Sequence, residues 1–113
     1  MPSVEQQAKR RQRQIVAEIA KLGLCPPGSL VTRMTRCGTP TCRCSSDPAQ
    51  RHGPYPTWIH KVGTKTVTRT LSPSQLERYQ PLFENTKRLR ELIGELEAIA
   101  AEVVENTDEW SRR

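Results

Sequence analysis

The sequence has few aromatic and apolar residues, and no long apolar run. Aromatic residues make up 4% and apolar residues 35% of the 113 positions. A small chain with so little apolar material for a core usually needs a metal ion, disulfides or a second subunit. No apolar run approaches the roughly 18 residues that a transmembrane helix requires, so the sequence excludes a membrane span. A chain this short is also poorly suited to enclosing a deep substrate cavity.

A secretory signal is a second feature that the sequence lacks. Residues 1–21 are polar and basic and contain no apolar segment of the signal-peptide type, so we expect a cytoplasmic protein. Thiols stay reduced in the cytoplasm. The four cysteines are therefore interpreted as metal ligands or as thiols without a disulfide.

Acidic residues are scarce in the middle of the chain. Residues 24–71 contain one acid, Asp47, whereas residues 72–113 are acidic overall and the whole chain carries +6. A basic region attracts nucleic acid by releasing counterions from phosphates, although a merely solvated basic surface is the alternative. The sequence favours DNA over RNA as the ligand and predicts phosphate contacts by the basic residues of this region: Arg33, Arg36, Arg43, Arg51, Lys61, Lys65 and Arg69.

Periodicity and turn residues predict an α+β fold, with a small antiparallel sheet between an N-terminal helix and a long C-terminal helix. The first helix covers about residues 4–22, begins at a capping box of Ser3 and Gln6, and ends at Gly23. The second helix begins at Ser72 and runs to about residue 106 or 109. Pro81 is expected to kink it or to end a first short helix.

Between the helices, the sequence predicts a strand over residues 29–36, a zinc-stapled loop over 37–54 and a hairpin over 55–71. Gly63 and Thr64 suit a type II′ turn, which places His60 opposite Val67. The chain is therefore expected to form a single domain, residues 1–113. Its segments are 1–23, 24–71 and 72–113, the last a possible coiled coil.

Apolar residues recur along the C-terminal helix with a spacing close to 3.5 residues, which is typical of a helix that packs against another. The stripe is too long for the shorter N-terminal helix to cover while the sheet also needs cover, so we expect a homodimer. A monomer with the two helices antiparallel, or a larger partner in the same groove, is the alternative. The stripe consists of Leu82, Leu89, Leu92, Ile93, Leu96, Ile99, Ala100 and Val103.

The strongest chemical signal is a cluster of three cysteines, Cys37, Cys42 and Cys44. Zinc prefers four Cys or His ligands in a tetrahedron, and the loop is long for a compact domain unless something orders it. His52, in the same loop, is the preferred fourth ligand. Cys25 and His60 remain alternatives, although the predicted strand separates Cys25 from the cluster and His60 lies within the hairpin.

Catalytic motifs are missing. The sequence contains no Ser/His/Asp set, no P-loop and no paired carboxylates. Three cysteines and one histidine would fill all four positions of a zinc ion, and Asp47 is the one acid of the region that could act as a base. The sequence therefore predicts a protein that is not an enzyme, with a zinc hydrolase as a weaker reading.

Four motifs together resemble a family of small bacterial proteins of unknown function. They are Gly28-Ser29-Leu30, Cys37-Gly-x-Pro-x-Cys42-Arg-Cys44, His52-Gly-Pro-Tyr55 and the Gly63-Thr64-Lys65-Thr66 turn, and the likeness covers about residues 28–110. Thr39 replaces the usual lysine of that family, and Thr64 is inserted between Gly63 and Lys65. The family looks like a companion of phage or mobile-element genes, including recombinases.

These observations predict a non-catalytic zinc protein that binds nucleic acid, as an accessory factor of recombination or as a small regulator. The alternative is an adaptor that binds a recombinase or another larger enzyme through its C-terminal helix. Arg43 and Arg51 flank the metal loop and are expected to contribute to binding, whereas Arg112 and Arg113 on the acidic tail are not.

Overall fold

Two helices and three strands make up the computed structural model. It describes residues 3–35, 39–50, 52–107, 109 and 110, without the side chains of residues 35, 44 and 48. The elements are helix α1 (Val4–Lys21), strand β1 (Ser29–Thr35), short 3-10 helices at Arg43–Ser45 and Pro48–Gln50, strands β2 (His52–Val62) and β3 (Lys65–Thr70), and helix α2 (Pro73–Thr107). This arrangement confirms the α+β class.

The sheet is antiparallel in the order β1-β2-β3, with β2 in the centre. His60 lies opposite Val67, as predicted, and Val62 lies opposite Lys65 across a two-residue turn. Gly63 has φ +64°, and no described non-glycine residue has a positive φ. Since a type I′ turn needs positive φ at both central positions, this pattern agrees with the predicted type II′ turn.

The chain divides into two compact units. A helical unit comprises residues 1–25 and 84–113, and a sheet unit comprises residues 26–83. Helix α2 therefore contributes its first turns to the sheet unit and the rest to the helical unit. Single-domain organisation over residues 1–113 stays a prediction.

Within the helical unit, α1 and α2 run antiparallel. Arg11 pairs with Glu95 at 2.7 Å, whereas Glu18, further along α1, pairs at 3.0 Å with Arg88, which is earlier in α2. The hydrogen bond that Arg88 makes with Glu91 raises its pKa above the ordinary value, and the charge of Glu18 acts in the same direction. This helix pairing is the one that the sequence raised as the alternative to a dimer.

The core of the helical unit is small. Ile15 of α1 and Leu92 of α2 are completely buried, and they lie midway along the paired segments. Burying a side chain of this size stabilises a fold by roughly 1.5–3 kcal/mol. The Arg11–Glu95 and Arg88–Glu18 ion pairs on either side of this core are partly exposed, so they contribute little to the free energy of unfolding. They are consistent with the antiparallel register of the two helices.

Both helices begin as the sequence predicts. The Ser3 hydroxyl accepts from the Gln6 amide N–H at 3.1 Å, while the Ser3 N–H donates to the Gln6 side chain at 3.0 Å. Ser72 and Gln75 repeat this reciprocal pair at the start of α2, at 2.8 and 3.2 Å. Such caps satisfy backbone N–H groups that the helix itself leaves without partners.

The predicted end of α1 is wrong in detail. Leu22, in an extended conformation, is the C-terminal cap, and Gly23 does not adopt positive φ. A Cβ at Gly23 would lie 3.0 Å from the Asn85 side-chain nitrogen, and that amide donates to the Leu24 carbonyl at 3.1 Å. Gly23 therefore makes room for a contact with α2 rather than reversing the chain.

Of the two outcomes expected at Pro81, a kink or the end of a first short helix, the helix end is wrong, because α2 continues through this residue as one helix. Proline removes one backbone hydrogen bond from a helix interior. Packing after it offsets that loss: the ring of Phe83 meets the ring of Trp58 edge to face at 6.0 Å. Among the described residues, no helix is long and apolar enough to cross a membrane.

Gly94 weakens α2 without serving a contact with any described residue of this chain. It is exposed, and a Cβ added there would meet nothing within 4 Å. Since glycine costs about 1 kcal/mol relative to alanine inside a helix, we expect Gly94→Ala to raise the free energy of unfolding by about that amount. Thermal unfolding followed by circular dichroism measures the effect, which corresponds to roughly 4 °C. An unchanged or lower melting temperature would show that Gly94 contacts a partner.

Candidate metal centre and nucleic-acid interface

Cys42 and His52, two of the predicted zinc ligands, lie side by side in the structure. Their Sγ and Nε2 atoms are 3.4 Å apart. Ligands of one tetrahedral zinc, with Zn–S of about 2.3 Å and Zn–N of about 2.0 Å, lie about 3.5 Å apart. The observed distance therefore fits a shared zinc ion, and it also suits a hydrogen bond between a thiol and an imidazole.

The loop holds Cys42 through its own hydrogen bonds. The Cys42 amide donates to the Thr39 carbonyl at 3.0 Å, and the Ser45 hydroxyl donates to the carbonyls of Cys42 and Pro40 at 2.8 and 3.1 Å. Cys42 is also the N-terminal cap of the first 3-10 helix. These bonds give hydrogen-bond partners to backbone groups of the loop that lie outside helices and strands. They also hold the loop in a conformation that brings Cys42 next to His52.

Strand pairing places His52. It is the first residue of β2, and it lies opposite Thr35, the last residue of β1. The register between β1 and β2 shifts by one residue between Arg33 and Thr35. A bulge of this kind changes the direction of side chains at the end of a strand. The register shift therefore helps to set the direction of the His52 side chain.

Gly53 is required beside His52. It has φ +138°, and a Cβ would lie 2.8 Å from the Arg33 carbonyl oxygen and 2.9 Å from the Met34 sulfur. Any side chain would push β1 away from β2 at this point. The His-Gly-Pro motif therefore needs glycine at this position because the backbones of β1 and β2 approach closely next to the candidate ligand His52.

Two of the four predicted ligands cannot be placed. Cys37 lies outside the described residues, and so does the side chain of Cys44, whose backbone is the middle of the first 3-10 helix. The part of the chain that the structure describes contains no group of three metal-binding residues. The structure thus brings Cys42 and His52 together and leaves the full set untested.

The two alternative ligands have other surroundings. The Cys25 thiol donates to the Gly23 carbonyl at 3.4 Å. The His60 ring stacks on the Trp58 ring at 3.8 Å between centroids, with 15° between the planes. His60 lies eight residues along β2 from His52, and its Nδ1 has no hydrogen-bond partner among the described residues.

The sheet separates the predicted phosphate-binding residues onto two faces. Arg33 and Lys61 share one face, because they are paired with Tyr55 and Thr66. Lys65 and Arg69 lie on the other, where they are paired with Val62 and Trp58. We call the first the threonine face, which includes Arg33, Tyr55, Thr57, Ile59, Lys61, Thr66, Thr68 and Thr70.

The threonine face is open to solvent and contains no acid. Thr66, Thr68 and Thr70 are exposed, as are Arg33 and Lys61, whereas Thr57 at the centre is 2% exposed. None of the described carboxylates forms an ion pair with the basic side chains of the sheet, since the ion pairs seen are all in the helical unit. Uncompensated positive charge beside a row of hydroxyls is suited to binding phosphates.

The structure describes only one of the remaining basic residues that the sequence analysis singled out. Arg43 is exposed in the first 3-10 helix, next to Cys42. Arg36, Arg51, Arg112 and Arg113 lie outside the described residues. The predicted contrast of Arg43 and Arg51 with Arg112 and Arg113 is therefore not tested by the structure.

A cavity on the opposite face was not anticipated from the sequence. It lies within the sheet unit and is lined by the aromatic rings of Trp58, Tyr79 and Phe83. The sequence signal that could have indicated this cavity is the spacing of Tyr79 and Phe83, which are four residues apart and so share one face of a helix.

A model of one protein family, described as Domain of unknown function (DUF6788), matches residues 5–81. The match includes α1, the metal loop, the whole sheet and the first turns of α2. No curated protein and no solved structure matches the chain significantly.

Proposed function

Because the chain belongs to the DUF6788 family, whose model covers both the metal loop and the sheet, we propose a function built on those two features. The protein is a non-catalytic, zinc-containing nucleic-acid-binding protein. The observation that carries the binding function is the exposed threonine face, on which Arg33 and Lys61 form no ion pair with a described carboxylate.

Zinc is the proposed cofactor, held by Cys37, Cys42, Cys44 and His52. The 3.4 Å separation of the Cys42 and His52 ligand atoms supports this set. Cys37 follows Thr35 by two residues in the sequence, and Thr35 lies opposite His52. Thiolate ligands require reduced cysteines, which the cytoplasm maintains.

The proposed zinc ion is structural. Three thiolates and one imidazole fill a tetrahedron and leave no position for an activated water molecule. Its role is to fix the loop between β1 and β2, which carries Arg43 and adjoins the Arg33 end of the threonine face. The protein therefore binds without catalysing a reaction, and DNA is its proposed ligand.

Phosphate contacts make affinity depend on salt. Each contact that is lost lowers the slope of log affinity against log salt by about 1. We expect the wild-type affinity for generic duplex DNA to fall steeply with salt. The Arg33→Ala, Lys61→Ala double variant should bind more weakly at low salt and show a slope smaller by about 2.

The matched control is Lys21→Ala, Lys87→Ala, which removes two exposed charges from the helical unit. It should keep the wild-type slope. Equal slopes in the two double variants would remove the threonine face from the interface. No measurable duplex binding at low salt would overturn the proposed function.

An adaptor is the second candidate, and exposed apolar residues of the helical unit favour it. Val16 of α1 is 47% exposed and Val104 of α2 is 52% exposed. The resemblance to companions of mobile-element genes makes a recombinase the partner of this hypothesis. Copurification with a recombinase that resists both high salt and nuclease, in a chain that fails to bind duplex DNA, would favour the adaptor.

A further inference from the structure

The cavity beside Trp58 is the one feature of the sheet unit that duplex binding does not explain. Its volume is about 490 Å³, which is within the usual range for small-molecule sites. Trp58 contributes from β2, and Tyr79 and Phe83 contribute from the first turns of α2. Three of the five aromatic residues of the chain therefore line one cavity.

The orientation of Trp58 is fixed. Its indole N–H donates to the Pro27 carbonyl at 2.7 Å, its ring stacks on His60, and Phe83 meets its edge. The indole nitrogen is thus already satisfied, and the ring offers the cavity an apolar surface. Tyr79 is 37% exposed, so its ring is accessible to a ligand.

The polar groups of the cavity are mainly hydrogen-bond donors. Arg69 supplies a guanidinium, and Gln75 supplies an amide whose oxygen is already used by the Ser72 N–H. No carboxylate lines the cavity, and the Arg78 guanidinium lies 5.5 Å from the centre of the Tyr79 ring. The matching ligand is planar, rich in acceptors and negatively charged.

A nucleotide has this chemistry: a flat base with carbonyl and ring-nitrogen acceptors, joined to a phosphate. Bases inside a duplex are stacked on their neighbours, so only an unpaired base can enter a cavity lined by aromatic rings. We propose that the cavity takes one unstacked base of a single-stranded nucleic acid, with an adjacent phosphate on Arg69. This inference rests on the proposed nucleic-acid-binding function and adds a second, base-dependent mode to it.

Fluorescence of Trp58 tests the proposal. Trp110→Phe leaves Trp58 as the only tryptophan of the chain, and the full-length variant is titrated with oligothymidylate. An abasic oligonucleotide of the same length and a duplex serve as the comparison ligands. We expect oligothymidylate to quench the fluorescence and to bind roughly 5- to 100-fold more tightly than the abasic strand.

Variants locate the effect within the sheet unit. Tyr79→Leu should weaken oligothymidylate binding toward that of the abasic strand, and Arg69→Ala should lower the salt slope by about 1. Leu24→Ala is the control, because Leu24 is a 76% exposed apolar residue of the helical unit and is part of neither the cavity lining nor the threonine face. It should leave the preference for the strand with bases intact.

Four results would overturn the proposal. Equal affinity for oligothymidylate and the abasic strand would show that no base enters the cavity, and this comparison needs no change to Tyr79. Quenching by thymidine monophosphate as strong as that by the strand would assign the site to a free nucleotide. Duplex binding without any quenching by oligothymidylate would refute the cavity site and leave the proposed function standing, whereas no binding to either would refute both.

Discussion

One zinc ion per chain is the expected result when the purified protein is weighed by native mass spectrometry. Cys42 and His52 already present a sulfur and a nitrogen 3.4 Å apart, and Cys44 follows Cys42 by two residues. Structural zinc sites contribute roughly 10–16 kcal/mol of apparent binding free energy, which matches or exceeds the roughly 5–15 kcal/mol stability of a whole domain. A chelator should therefore unfold the sheet unit.

Serine substitutions separate a zinc site from a simple hydrogen bond. Cys42→Ser, Cys44→Ser removes two thiolates and should abolish metal binding and the cooperative unfolding of the sheet unit. Cys25→Ser is the matched control, because its thiol bonds to the Gly23 carbonyl in the helical unit, and it should keep one zinc. Stoichiometric zinc in the double variant would refute the site.

Two histidine variants decide the fourth ligand. His52→Gln should lower zinc occupancy, since the imidazole nitrogen beside Cys42 is lost. His60→Gln should keep zinc and alter only the stacking on Trp58. Loss of zinc in His60→Gln and its retention in His52→Gln would make His60 the fourth ligand. That result would contradict a zinc site next to Cys42 and His52.

Local chemistry made much of the fold predictable from the sequence. Gly63 at the first position of a two-residue turn set the hairpin register, so the pairing of His60 with Val67 followed from the turn alone. The two Ser/Gln capping boxes likewise marked the starts of both helices. These features depend on neighbours within four residues, which a sequence shows directly.

Features that depend on distant contacts were missed. Gly23 was expected to cap the end of α1, but Leu22 is the cap, and the side chain of Asn85, far along the sequence, occupies the space beside Gly23. A first short helix ending at Pro81 was one of two expected outcomes, but α2 continues through Pro81, and Phe83 beyond it packs against Trp58. Tertiary contacts overrode the local preference in each case, and the sequence alone does not show them.

The candidate site was predictable only in part for the same reason. Spacing identified Cys42 and His52 as possible partners, and the structure brings them together. Alternation along β2 and β3 gave the two faces of the hairpin, including the row of threonines. The cavity required Tyr79 and Phe83 of α2 to meet Trp58 of β2, and no local pattern connects these residues.

The structure also redefines the surface through which a dimer would form. Helix α1 covers one edge of the apolar stripe of α2, where Leu92 is completely buried, but it leaves Ile93 40% and Val104 52% exposed. Between them, Leu96, Ala100 and Val103 border a groove of about 360 Å³ alongside α1. Exposed apolar residues along one helix are typical of a subunit interface. We call Ile93, Ala100 and Val104 the exposed strip of α2.

A dimer through this strip is the second large effect that we expect. A two-fold pair of α2 helices would cover Ile93 and Val104 of each copy with the same residues of the other. Light scattering at micromolar concentration should then give twice the 12.8 kDa chain mass, about 26 kDa. A wild-type mass near that of one chain would contradict the dimer.

Val104→Asp is the sharpest test of the dimer, because Val104 is exposed, whereas Leu96 is partly buried and its replacement could also unfold the helical unit. Placing a charge in an apolar interface costs several kcal/mol, so Val104→Asp should yield monomers. Val62→Asp is the matched control: Val62 is a 62% exposed valine in the sheet unit, and its variant should stay dimeric. Dissociation by both variants, or by neither, would show that the exposed strip of α2 is not the interface.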